Sequence, residues 1–115
     1  MQHIKLKTYA KTNLCLDIVG KRSDGYHDLE TIMQSLELAD ELKVCKAPKM
    51  SISCNHPSIP VDEGNLAYQA AKRLLSYAGI KSGVRILIDK RIPVAAGLGG
   101  GSTNAAGTLL AVNFL

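Results

Sequence analysis

A chain of 115 residues, 46% apolar and 21% charged, has room for one globular domain with a modest core and lacks the bias of a disordered or fibrous protein. No stretch approaches the roughly 18 apolar residues of a membrane span, and "MQHIKLKTYAK" has no unbroken apolar run of an export signal, so a cytoplasmic protein is expected. Cys15, Cys45 and Cys54 are too few and too scattered for a disulfide framework, and the formal charge of +4 suits either an anionic ligand or only a solvated basic surface.

From His3 to Gly20, Ile4, Leu6, Leu14, Leu16 and Ile18 recur with period two, which predicts two strands with one buried face. Asp24-Gly25 marks a turn, and "LETIMQSLEL" resumes a looser alternation. "ELKVCKA" and "MSISCN", separated by Pro48-Lys49, predict a further pair, so the strands read as an antiparallel meander. After a loop with Pro57, Pro60 and Gly64, Asn65 can cap a helix over "LAYQAAKRLLSYA", which Gly79 ends. Leu66, Ala67, Ala70, Ala71, Leu74, Leu75 and Ala78 form its apolar face. "GVRILIDKRIPVA" predicts a strand through Val84, Ile86 and Ile88 that ends near Pro93. The glycine loop then leads into a helix over "STNAAGTLLAVNFL", whose apolar end carries no stop signal and reads as cut short.

The glycine loop carries the strongest chemical signal. Gly97, Gly99, Gly100 and Gly101, with Ser102 and Thr103 opening a helix, can turn several main-chain N–H groups and the positive helix end onto an anion. The alternative is a tight turn packed on the sheet. A Walker A loop needs Lys where Gly101 stands, and the third glycine of a G-x-G-x-x-G fingerprint falls on Ser102 or Asn104, so both common phosphate loops are excluded. Taken alone, Lys11 reads as an exposed charge on a half-apolar strand, and Tyr26-His27 as surface or partial core that could also stack on a base. His3 and His56 have no partners at ligand spacing, so no metal site built from side chains is expected.

The pattern P-x-x-x-G-L-G-G-G-S resembles the ATP-binding motif of the GHMP kinases, named for galactokinase, homoserine kinase, mevalonate kinase and phosphomevalonate kinase. Three stretches, "YAKTNLCLDIVGKRSDGYHDLETIMQSL", "NLAYQAAKRLL" and "IPVAAGLGGGSTNAA", extend the likeness over essentially the whole chain. Of these, "GKRSDGYHDLETI" is the most diagnostic. It is similar to the branch of the superfamily that phosphorylates a cytidine-linked methylerythritol in the non-mevalonate route to isoprenoid precursors.

The resemblance implies an α+β fold like the second domain of ribosomal protein S5, a mixed sheet with helices on one side, with residues 1–115 as the N-terminal ATP-binding domain. It implies ATP, with Mg²⁺, bound through Pro93, Val94, Ala95, Ala96, Gly97, Leu98, Gly99, Gly100, Gly101, Ser102 and Thr103, and more weakly through Asn65 and Leu66 near the adenine. Lys11 is implied as the catalytic cation beside the acceptor hydroxyl, Asn13 as a substrate contact on the same strand face, and Tyr26 and His27 as the groups that hold the cytosine. Thr12 and Ser23 depart from the family's usual Ile or Val and Pro without touching a proposed contact.

The resemblance also implies a catalytic Asp downstream of the glycine-loop helix and a C-terminal domain as packing partner. Asp17, Asp24, Asp28 and Asp89 do not match that Asp, so the chain by itself is expected to be inactive. Neither a membrane nor a nucleic acid is expected as a partner. Two alternatives stay open: a homoserine- or mevalonate-type kinase, which leaves "GKRSDGYHD" unexplained, and an S5-like RNA-binding module, for which aromatic residues are scarce.

Overall fold

Alternation of apolar residues builds most of this molecule. The computed structural model describes residues 3–21, 27–94 and 97–115. In chain order the elements are β1 (His3–Lys21), β2 (His27–Ala47), β3 (Ser51–Cys54), α1 (Leu66–Tyr77), β4 (Gly83–Asp89) and α2 (Gly100–Phe114). The sheet order is β1-β2-β4-β3. β2 pairs antiparallel with both β1 and β4, while β3 lies parallel to β4, so the sheet is mixed.

Leu42, Val44, Ile86 and Ile88 share one face through the pairs Leu42 with Ile88 and Val44 with Ile86. They meet Ala67, Ala71 and Leu75 of α1 and Ala111 and Val112 of α2 in a single core, so both helices cover that face. The small residues of the helices let their axes approach the sheet. Each fully buried Leu or Ile there contributes about 1.5–3 kcal/mol of transfer free energy.

Two sequence expectations change. The two strands predicted before Gly20 are one, β1, whose ladder with β2 shifts register between Tyr9 and Lys11, between Asn13 and Cys15 and between Ile18 and Gly20. Bulges let a long hairpin twist without ending it. "MSISCN" supplies β3, but β3 does not pair with "ELKVCKA"; β4 inserts between β2 and β3. The reason is α1. It must bury its apolar stripe on the sheet, and the crossover that does so returns the chain parallel to β3.

Asn65 caps α1 as expected, and Gly79 follows the helix with φ of 72°. α2 starts at Gly100, two residues before the predicted Ser102.

Candidate functional site

The chain leaves β4 at Asp89 and reaches α2 through Ile92, Pro93 and the glycines. Gly97 and Gly99 both have φ of 72°, the left-handed region that a side chain disfavours, and Gly99 is the N-cap of α2. The first helical bond runs from Thr103 N–H to Gly99 O, at 2.9 Å. The amides of the preceding turn therefore have no helical carbonyl to bond and lie open at the positive end of the helix dipole.

Lys11 crosses this loop. Its main-chain N–H donates to Leu98 O at 2.9 Å and its ammonium donates to Gly97 O at 3.3 Å. A Cβ at Gly99 would stand 3.0 Å from Cε of Lys11 and 3.2 Å from its Cγ. Gly99 is thus required twice, by its backbone angle and by the lysine lying over it.

Beneath the loop is a buried polar cluster. The carboxylate of Asp40 accepts from the N–H groups of Arg91 and Ile92 at 2.6 and 2.8 Å through Oδ1, and from Lys90 Nζ and Asn104 Nδ2 at 2.7 and 2.9 Å through Oδ2. Asn104 Nδ2 also donates to Thr8 Oγ1 at 2.8 Å, and its Oδ1 accepts from Lys90 at 3.0 Å. Side-chain exposure is 0% for Asp40 and 3% for Lys90. Burial pushes the Asp40 carboxyl upward, but the bonds from Ile92, Lys90, Arg91 and Asn104 outweigh it and hold it below the usual aspartate value. A Cβ at Gly100 would stand 2.7 Å from Lys90 Nζ, so the ammonium sits directly under the first residue of α2.

A cavity of about 310 Å³ opens over these groups, lined by Gly97–Ser102, Pro93, Val94, Ile59, Leu66 and Lys90. A larger groove of about 700 Å³ lies between α1 and α2 and shares Leu66 and Ser102 with it. That groove is walled mainly by Leu66, Ala70, Leu74, Ala105, Ala106 and Leu109. The open amides and the buried ammonium belong to the smaller cavity, and so does any anion chemistry.

Of the residues expected from the sequence, the structure brings Lys11, Pro93, Val94, Leu66 and the loop from Gly97 to Ser102 together. Thr103 follows in the first turn of α2. Asn65 is buried and uses its amide in the cap: Oδ1 accepts from Ala67 N–H at 2.8 Å and Nδ2 donates to Pro60 O at 3.0 Å. Asn13 pairs with Met33 and His27 with Lys21 along the β1–β2 ladder. Tyr26, Ala95 and Ala96 lie outside the described residues. The sequence reading missed Asp40, Lys90, Asn104 and Thr8. One signal was available: Asp40 is in phase with Leu42 and Val44, an acidic residue at a core position of a strand.

Known proteins resemble this arrangement. Residues 65–115, which carry α1, β4, the loop and α2, match the family model "GHMP kinases N terminal domain". Over its whole length the chain is 51% identical to 4-diphosphocytidyl-2-C-methyl-D-erythritol kinase of Chlorobium phaeobacteroides (strain BS1), covering 40% of that protein. A crystal structure of 4-(cytidine 5'-diphospho)-2C-methyl-D-erythritol kinase superposes with a TM-score of 0.81 at 43% identity, over 96% of this chain and 40% of the other. Over its whole length the chain is thus similar to the N-terminal part of a GHMP-type kinase.

Its sheet, helices and glycine loop are those of a GHMP kinase N-terminal domain, the α+β fold expected from the sequence. The Methanococcus jannaschii mevalonate kinase shares that fold at 20% identity, with a TM-score of 0.69 over 98% of this chain and 40% of its own. The chain spans about 40% of the length of the curated relatives it matches. Among the described residues no helix is long and apolar enough to cross a membrane.

Proposed function

We propose that this chain is the nucleotide-binding N-terminal domain, residues 1–115, of a cytoplasmic kinase that transfers the γ-phosphoryl group of ATP to the 2-hydroxyl of CDP-methylerythritol in the non-mevalonate pathway. The observation that carries the reading is the double attachment of Lys11 to Leu98 and Gly97. It joins a cation on β1 to an anion-binding loop that opens α2. Whole-chain identity of 51% to a protein named for this substrate supports the substrate class over homoserine or mevalonate.

In this reading the amides of Gly97–Ser102 grip the phosphates, Thr103 supports them from the first turn of α2, and Pro93–Ala96 with Leu66 border the nucleotide. Asn65 shapes the nucleoside side through its cap. Lys11 orients the acceptor hydroxyl and lowers the cost of removing its proton, Asn13 holds the same substrate, and Tyr26 and His27 take the cytosine. Phosphoryl transfer is catalysed chiefly by positioning and charge neutralisation, which is what a loop of oriented amides and a tethered ammonium supply.

Mg²⁺ accompanies the nucleotide. The cavity wall offers the Ser102 hydroxyl, and Asp40 already receives four donors. This suits an ion held mostly by phosphate oxygens and water, which supplies charge neutralisation on the transferred group. An Asp downstream of the glycine-loop helix in the longer relatives would accept the proton, and a C-terminal domain would pack against this one.

Hydrogen exchange of the full-length gene product, with and without ATP, tests the site. ATP is expected to protect the amides from Gly97 to Thr103 most strongly. Protection confined to other segments would overturn the assignment.

A further inference from the structure

The Asp40 cluster has no part in the chemistry just described, yet it touches both ends of the glycine loop. Oδ1 holds the N–H groups of Arg91 and Ile92, the last residues before Pro93. Oδ2 holds Asn104, the fifth residue of α2, and Lys90, whose ammonium underlies Gly100. Thr8 adds a tie from Asn104 to β1, three residues before Lys11.

We propose that Asp40 is the positioning residue for the phosphate-gripping loop, its single carboxylate fixing the entry and the exit of that loop on the sheet. The inference rests on the nucleotide reading given above. Asp40 contacts neither phosphate nor substrate; it acts through Arg91, Ile92, Lys90 and Asn104.

Charge explains why a carboxylate stands there. Lys90 is almost wholly desolvated, and it faces the positive end of α2, which repels it. A buried cation so placed needs a buried anion, and removing one partner of such a pair is far costlier than its net contribution suggests. Geometry explains what the carboxylate does. Fixing both ends of a glycine-rich segment removes conformational freedom that a ligand would otherwise have to remove on binding, so the loop is pre-organised for its anion. Every buried side-chain donor and acceptor in the cluster has a partner.

The test compares Asp40→Asn with the exchange Asp40→Asn/Asn104→Asp in the full-length gene product. In the single variant the new amide sets an N–H against Lys90 and Asn104, while its oxygen still accepts from Arg91 and Ile92. In the exchange, the amide introduced on β2 donates to the carboxylate introduced on α2. That carboxylate also receives Lys90, which lies 3.0 Å from Oδ1 of Asn104 and so regains a buried anion, and the Thr8 hydroxyl.

The expected result is a KM for ATP raised about tenfold or more in Asp40→Asn, an unchanged KM for the alcohol substrate, and return of the ATP value to within about threefold of wild type in the exchange. A folded Asp40→Asn protein with wild-type KM for ATP overturns the proposal, as does an equal rise for both substrates. If the single variant does not fold, Thr8→Val, close in shape, loosens Asn104 alone: a rise in KM for ATP only supports the proposal and unchanged constants overturn it. A wild-type protein that binds no ATP overturns the nucleotide reading, and this proposal with it.

Discussion

The main-chain N–H of Lys11, on the edge strand β1, bonds to the carbonyl of Leu98 at 2.9 Å, beside a break in the β1–β2 ladder. Tyr9 faces Ala39, but Lys11 faces Ser35, so Ala10 alone on β1 lies opposite Leu36, Glu37 and Leu38. The extra residues are on β2, so the bulge bends β2 and sharpens the local twist of the pair beside Lys11, where β1 meets the glycine loop. A strand irregularity therefore lies where the two parts of the site meet.

Lys11→Ala keeps the main-chain bond and removes the ammonium together with the alkyl stem that lies over Gly99. Stability should change by no more than about 0.5 kcal/mol in denaturant unfolding, because the side chain is partly exposed. In the full-length protein kcat should fall about a hundredfold or more, the loss seen when a preorganised charge-stabilising group is removed. Near-normal turnover would remove Lys11 from the catalytic set.

Gly97→Ala and Gly99→Ala should differ although both residues have φ of 72°. An added Cβ at Gly97 meets no described residue within 4 Å, so the cost is that of the left-handed backbone, about 1–2 kcal/mol. At Gly99 the Lys11 side chain must also move. Urea unfolding should show a larger loss for Gly99→Ala, with a drop in ATP affinity; equal losses would contradict the packing described.

Asn65→Ala removes both the α1 cap and the bond to Pro60. The expected destabilisation is about 1 kcal/mol or somewhat more, read as a lower urea midpoint with unchanged slope. Undiminished stability would mean that the cap is dispensable.

Asp40 makes stability depend on pH in one direction. Its carboxyl is held below 3.8 in the folded chain, so between the two values the unfolded chain binds more protons and stability rises with pH. The contribution is fully present above the unfolded value, about 3.9, and is lost as pH falls through the folded one. Acid titration of the melting temperature should be steeper for wild type than for Asp40→Asn below about pH 4; parallel curves would refute the lowered value.

Much of this was legible in the sequence, and the exceptions have physical causes. Ile86 and Ile88 in the strand pattern and the stripe Ala67, Ala71 and Leu75 marked the core because burial alone decides those positions. The glycine loop was legible because few other functions need so much bare backbone. The order of β3 and β4 was not, since strand neighbours are set by the crossover of α1 and not by any local pattern. α2 obscured its own packing: it buries Asn104 and Thr108 with Ala111 and Val112, and exposes Leu109, Leu110 and Phe114. Its buried polar face serves the Asp40 cluster, and only the fold shows which acidic residue stands opposite.

The most direct test is phosphoryl transfer by the full-length gene product. It would be incubated with ATP, Mg²⁺ and, in parallel, CDP-methylerythritol, homoserine or mevalonate, with products followed by phosphorus NMR. A new phosphomonoester formed together with ADP from CDP-methylerythritol alone is the predicted result. Phosphorylation of homoserine or mevalonate in its place, or of none of the three, would contradict the account.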